Sequence, residues 1–260
     1  MRNARCLKPT PSLATHGFEL MSYKGSAVKD TAMGETSKHE RVQTYYKEVE
    51  QLLMQQTGAD AAFSFVHAMR VPKRDRVKAE AGYASYWHTD QSHNSWSARL
   101  HELLELGSWE EVGPPGLDEV AAKRAARAQR YAVVTAWRYL GPADACRESH
   151  LAIVDPASVD ASDVIDFSLI ARSLEGGNYR LRAPAPGAAS KHACYYYPDM
   201  LRNEVLCFTV YDSKPNSEMK AKFATMPAPS CFHGAFSDPS ASEDEPPRES
   251  VDVRCLLVWD

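Results

Sequence analysis

Two hydrophobic periods run along this chain. From His39 to Gln56 the apolar side chains Val42, Tyr45, Tyr46, Val49, Leu52 and Leu53 recur at three- and four-residue intervals, one face of a 3.6-residue repeat. That spacing predicts an amphipathic helix, and Gly58 stands where a left-handed stop would fall. A second helix is expected over Leu117–Arg130, with Asp118 and Glu119 early and Lys123, Arg124, Arg127 and Arg130 late, the order that the helix dipole favours. Shorter helices are expected over Ser97–Leu106 and Asp163–Ser173.

Elsewhere the pattern is that of strands. Ala61–His67, Tyr131–Tyr139, Leu151–Asp155, Asn178–Arg182, Ala193–Tyr197, Glu204–Tyr211 and Val251–Trp259 are β-rich runs, broken by segments carrying Gly, Pro, Asn or Asp. Many short strands preceded by helices predict a mainly β fold, a barrel or sandwich with flanking helices outside it. No βαβ alternation with a glycine fingerprint is present, nor G-x-S-x-G, H-E-x-x-H or a P-loop. Residues 1–30, with one apolar cluster at Gly17–Tyr23, are expected as a leader segment packed on a single domain that spans 1–260.

Composition narrows the function more than the fold. The 260 residues are 44% hydrophobic and 25% charged, with a formal net charge of −4, the balance of an ordinary globular protein. A weakly acidic chain has no general attraction for phosphate backbones, so no nucleic-acid partner is expected. No apolar run approaches the ~20 residues needed to span a bilayer, and the basic N-terminus lacks the apolar stretch of a secretory signal. The six cysteines include no C-x-x-C pair; they read as reduced thiols, and a cytoplasmic location is expected. Oligomeric state is unreadable.

Nine histidines are present, and one heads a His-x-Asp triplet, His88-Thr89-Asp90. In an extended strand, residues two apart point to the same face, so the imidazole and carboxylate can reach one ion together. By itself the triplet also fits a surface turn. The C-terminal segment changes that balance. His233 lies in CFHGAF, and Arg248-Glu249-Ser250 follows fifteen residues later, opening the last strand. A second histidine would complete a 2-His-1-carboxylate set, which leaves positions on iron(II), Fe(II), for a co-substrate and dioxygen (O2). Arg248 offers a planar fork for the far carboxylate of 2-oxoglutarate, and Ser250 shares its face. Arg248, Ser250, Asp252 and Arg254 fall on one face of that strand, and Val251, Val253, Cys255 and Leu257 on the other. Arg254 is therefore a rival anchor. Arg147-Glu148-Ser149 repeats the Arg-Glu-Ser sequence, but no histidine stands at the matching distance before it.

With these motifs the chain resembles the CmcJ/NvfI-type oxidoreductases, also called AsaB-like hydroxylase/desaturases, of microbial secondary metabolism. The resemblance runs from HGFELMSYKGSAVKD (His16–Asp30) through FVHAMR (Phe65–Arg70), HTDQS (His88–Ser92), AWRYL (Ala136–Leu140) and LAIVDPASV (Leu151–Val159). It continues through YYYPDMLRNEVLCFTVYDS (Tyr195–Ser213), FHGAF (Phe232–Phe236) and PRESVDVR (Pro247–Arg254). It implies a double-stranded β-helix, a jelly-roll or cupin-like core, and iron(II) chemistry usually with 2-oxoglutarate. His88, Asp90 and His233 would be the metal ligands, Arg248 and Ser250 would bind 2-oxoglutarate, and Trp137 with Arg138 would line the pocket. Thr135 departs from the Asn common in relatives two residues before that Trp. Arg70 and Tyr197 are further candidates for a small-molecule substrate. Because Asp90 is present, halogenation is disfavoured: carrier-type halogenases of this general fold lack the carboxylate. The resulting expectation is an oxygenase that hydroxylates, desaturates or cyclises an amino-acid-derived or other secondary-metabolite substrate. Two alternatives stay open at this point, a non-oxidative metal-dependent isomerase or hydrolase and an iron oxygenase that does not use 2-oxoglutarate.

Overall fold

The helix read from the first periodic segment forms over Glu40–Thr57 because both of its ends are capped. His39 Nδ1 accepts from the Arg41 backbone N–H at 3.3 Å, and Gly58 adopts φ 68° with its N–H on the Met54 carbonyl. The computed structural model describes residues 1–25, 38–71, 82–90, 117–171, 174–184, 189–226, 229–242 and 244–260. In chain order its strands are β1 (Arg2–Asn3), β2 (Phe18–Ser22), β3 (Ala61–Arg70), β4 (Arg130–Tyr139), β5 (Ala145–Cys146), β6 (His150–Val154) and β7 (Val164–Ala171). They continue with β8 (Leu174–Leu181), β9 (Cys194–Tyr196), β10 (Met200–Leu201), β11 (Glu204–Asp212), β12 (His233–Phe236) and β13 (Ser250–Trp259). The helices are α1 (Leu13–His16), α2 (Glu40–Thr57), α3 (Glu119–Arg127) and α4 (Ser217–Lys222).

Two sheets face each other. One is five-stranded and antiparallel, in the order β2-β11-β4-β13-β3. The other runs β1-β9-β6-β12 and is carried further by His88, which bridges to His233 on one side and to Arg180 of the β7–β8 hairpin on the other. Trp137, Leu206 and Phe208 of the first sheet pack against Ile153, Val154 and Tyr195 of the second. This is the expected jelly-roll arrangement, with a closed core between sheets ~10 Å apart.

Strand alternation decides which residues see that interior. On β4, Thr135 and Trp137 point between the sheets, while Val134 and Ala136 point outward beneath α2 with Val49 and Leu53. On β13, Val251, Val253, Cys255 and Leu257 join the α2 layer. At one end α3 lays Ala121, Ala122 and Ala125 over Val133, Val210 and Leu256. Alanines let the helix approach closely, and Asp118 caps it by accepting from the Val120 and Ala121 N–H groups.

Two expectations change. The described part of the segment expected as a short helix is a strand: Val164–Ala171 is β7, paired residue by residue with β8, because β-branched residues and a waiting antiparallel partner outweigh weak helical spacing. The N-terminal segment does more than pack on the core, since β1 pairs with β9 and β2 forms an edge of the five-stranded sheet. Gly17 makes the turn into β2 at φ 75°, where a Cβ would lie 2.7 Å from the Phe223 ring. The helix expected at Ser97–Leu106 lies outside the described residues. All six cysteines are free thiols, four of them buried, and no helix among the described residues is long and apolar enough to cross a membrane.

Candidate active site

Backbone pairing brings the two histidines together. His88 and His233 exchange both main-chain hydrogen bonds, at 3.1 and 2.9 Å, so they are directly opposed residues of an antiparallel ladder. Their ring centroids lie 4.4 Å apart. Gly234 permits the close approach: a Cβ there would meet the Tyr86 carbonyl oxygen at 3.0 Å and the Trp87 ring at 3.3 Å. Asp90 follows two residues after His88, with Thr89 turned the other way, its Oγ1 accepting from the Tyr179 N–H at 3.1 Å. One ligand atom from each of His88, Asp90 and His233 lies within 4.8 Å of the other two.

Hydrogen bonds set the protonation of this group. Nδ1 of His88 meets the Tyr86 carbonyl at 3.0 Å, and Nδ1 of His233 meets the Cys231 carbonyl at 3.0 Å. A carbonyl only accepts, so each Nδ1 carries a proton, and Nε2 is the ring nitrogen left for a metal. Burial, and then the His88 imidazole, push His233 down to about 4, so its ring is neutral at neutral pH. Burial alone would raise the Asp90 carboxyl, but the Arg254 guanidinium and then the two imidazoles overcome it and hold Asp90 well below the usual carboxylate range. Two imidazole Nε2 atoms, with their rings fixed from behind by carbonyls, and one carboxylate fit a divalent iron.

Beside this cluster lies a cavity lined among others by Arg70, Thr135, Trp137, Phe208, Arg248 and Asp252. Arg248 is 3% exposed. Its guanidinium sits 4.1 Å from the Tyr83 ring centroid and 5.4 Å from that of Trp137. Nη1 donates to the Ser149 carbonyl, the Tyr83 hydroxyl donates to the Arg248 carbonyl, and the Arg248 N–H meets Glu148 Oε2 at 3.4 Å. Among the described residues its Nε has no hydrogen-bond partner, and neither does Oγ of the fully buried Ser250. Leaving buried polar atoms unpaired costs about 1–3 kcal/mol each, a cost that a carboxylate seated between them would remove.

The remaining candidates divide. Trp137 and Arg70 line the cavity, with Arg70 Nε held by Asp252 at 2.7 Å. Arg138 does not: it is the next residue on the strand, so it points to the outer face, where its guanidinium lies over the rings of Tyr23 and Tyr45. Tyr197 also stands away from the cavity, buried in the core packing with Arg5 above its ring. Arg254 is taken up by Asp90, at 2.9 and 3.3 Å. Sequence reading missed Tyr83, Phe208, Glu148 and Ser149. The second Arg-Glu-Ser was the available signal: Ser149 adopts φ 49°, and the loop it belongs to wraps the first motif's arginine.

Known proteins resemble this chain over most of its length. The family model described as Oxidoreductase/YMDC permease-like domain matches residues 1–258. The alpha-ketoglutarate-dependent dioxygenase phiK of a fungal species is 29% identical over 256 residues, covering 95% of this chain and 79% of that protein. The hydroxylase/desaturase efuI of Hormonema carpetanum is 28% identical over 258 residues, covering 96% and 79%. In structure the chain resembles the iron and alpha-ketoglutarate-dependent endoperoxidase NvfI, with a TM-score of 0.75, 24% identity, and coverage of 99% of this chain and 84% of that one. That likeness establishes the fold, a double-stranded β-helix.

Proposed function

Since the chain belongs to the Oxidoreductase/YMDC permease-like domain family, we propose that it is a non-haem iron(II)/2-oxoglutarate-dependent oxygenase acting on a small molecule of secondary metabolism. Nε2 of His88, Nε2 of His233 and Oδ1 of Asp90 would hold the iron. With 2-oxoglutarate and dioxygen bound, iron supplies the oxidising power to take a hydrogen atom from an unactivated C–H bond, with succinate and carbon dioxide as co-products.

This chain's residues do the aiming. The Tyr86 and Cys231 carbonyls keep protons on the two Nδ1 atoms and leave the two Nε2 atoms for the metal. Arg248, against the Tyr83 and Trp137 rings and with its Nε unpaired among the described residues, would donate to the distal carboxylate of 2-oxoglutarate, and the Ser250 hydroxyl would donate to the same group. Trp137, Phe208 and Leu151 make the wall apolar and keep water from the reacting carbon. Arg70, fixed by Asp252, is the polar wall residue available to a substrate. Which substrate carbon these walls set over the iron decides between hydroxylation, desaturation and ring closure.

The observation that carries this reading is the convergence of His88, Asp90 and His233 beside two buried donors that lack a partner. A non-oxidative metal enzyme, or an oxygenase without 2-oxoglutarate, would need a substrate carboxylate to engage that pair of donors, whereas 2-oxoglutarate brings its own. The test is succinate release from 2-oxoglutarate in air, with and without added iron(II). Wild type should release succinate only with iron, and His88→Ala should lose at least about a thousand-fold of the rate. Iron-independent release, or full activity in His88→Ala, would remove the proposed ligands.

A further inference from the structure

The two oxygens of Asp90 have different neighbours. Oδ1 lies 3.7 Å from His233 Nε2, on the ligand side, and 2.9 Å from Nη2 of Arg254. Oδ2 accepts from Thr135 Oγ1 at 3.2 Å and from Arg254 Nε at 3.3 Å. Thr135 and Arg254 are directly opposed across the β4–β13 register. Both donors therefore come from the centre of the five-stranded sheet, whereas Asp90 reaches them from the facing sheet.

We propose that Arg254, with Thr135, is a positioning residue that fixes the rotation of the Asp90 carboxylate so that Oδ1 alone turns toward the metal, and that this pair thereby sets metal affinity. The inference rests on the reading that His88, Asp90 and His233 hold iron(II). A guanidinium fork meeting both oxygens leaves the carboxylate no free torsion, which a single point charge would not achieve. Asp252, the other carboxylate lining the cavity, is engaged separately by Arg70 at 2.7 Å. Each buried acid thus has its own arginine, and neither Arg254 nor Asp252 is left to compete for the ion or for 2-oxoglutarate. Arg248, whose Nε has no partner, remains the anchor.

The test uses the full chain and manganese(II) as a redox-stable probe of the iron site, with free manganese measured by its electron paramagnetic resonance signal. In Arg254→Gln the manganese dissociation constant should rise about 10- to 100-fold, the usual effect of losing a partner behind a metal ligand. Arg254→Lys should fall between that variant and wild type. Thr135→Val should lose roughly 3- to 10-fold, the effect of one hydrogen bond. At saturating manganese the dissociation constant for 2-oxoglutarate should stay within about two-fold of wild type in all three, since none of them alters the anchor. Unchanged manganese affinity in Arg254→Gln overturns the proposal, as does intact metal affinity with lost 2-oxoglutarate affinity, which would make Arg254 the anchor. Should Arg254→Gln lose its near-ultraviolet circular dichroism, Arg254→Lys and Thr135→Val decide on the same criteria. If wild type binds no manganese, or His88→Ala binds it equally well, the iron-centre reading itself fails; binding in wild type alone with no change in the three variants sinks only this inference.

Discussion

The two faces of β13 are chemically opposite over its first half. Val251, Val253, Cys255 and Leu257 are fully buried in the apolar cluster under α2. Ser250, Asp252 and Arg248, the residue pair and flank on the other face, are at most 9% exposed, yet all are polar. Burial alone therefore does not locate a site. Burying a polar group is unfavourable unless something pairs with it, and the hydrogen-bond account differs along this face. Asp252 has Arg70 and Arg254 has Asp90, but Ser250 Oγ and Arg248 Nε have no partner among the described residues. The outer face contributes folding free energy, and the inner face holds it in reserve for a ligand.

Substitutions on the two faces should separate these roles. The largest effect falls on the outer face: Leu257→Ala should lower stability by about 3 kcal/mol through lost contacts and a cavity, read as a drop of roughly 6–12 °C in Tm. Its KM for 2-oxoglutarate should stay at the wild-type value in the folded protein. On the inner face, Arg248→Met should raise the KM for 2-oxoglutarate on the order of 100-fold, equal to about 2.7 kcal/mol, with Tm little changed. Arg138→Met sharpens the contrast. Arg138 also lies over two aromatic rings, but on the outer face and away from the cavity, so its loss should move Tm and leave that KM alone. A rise in KM matching that of Arg248→Met would break the division between faces. The smallest effect belongs to Ser250→Ala, where one hydrogen bond of about 1 kcal/mol predicts a roughly 5-fold rise in the same KM.

Much of this was legible in the sequence. Alternation along Arg248–Leu257 separates the two faces of the last strand, and His88-x-Asp90 with His233 and the Arg-Glu-Ser that follows marks the cluster. What local pattern could not carry was partnership. Arg254 and Thr135 meet Asp90 only because β4 and β13 pair in one register and because His88 bridges to His233 across the sheet. Trp137 and Arg138 read as one pocket pair, although neighbouring residues on a strand face opposite ways. Tyr197 shares a strand face with Tyr195, and that face is core packing. At Val164–Ala171 the pairing partner β8, the next strand of the chain, decided the conformation over weak helical spacing.

The most direct test of the central claim is an anaerobic titration of the iron(II)-loaded protein with 2-oxoglutarate, followed by visible absorption. The account predicts one iron per chain and a charge-transfer band that saturates at one 2-oxoglutarate per iron, absent in His233→Ala and shifted to much higher 2-oxoglutarate concentration in Arg248→Met. Iron binding with no band at any concentration, or a band that persists unchanged in both variants, would contradict it.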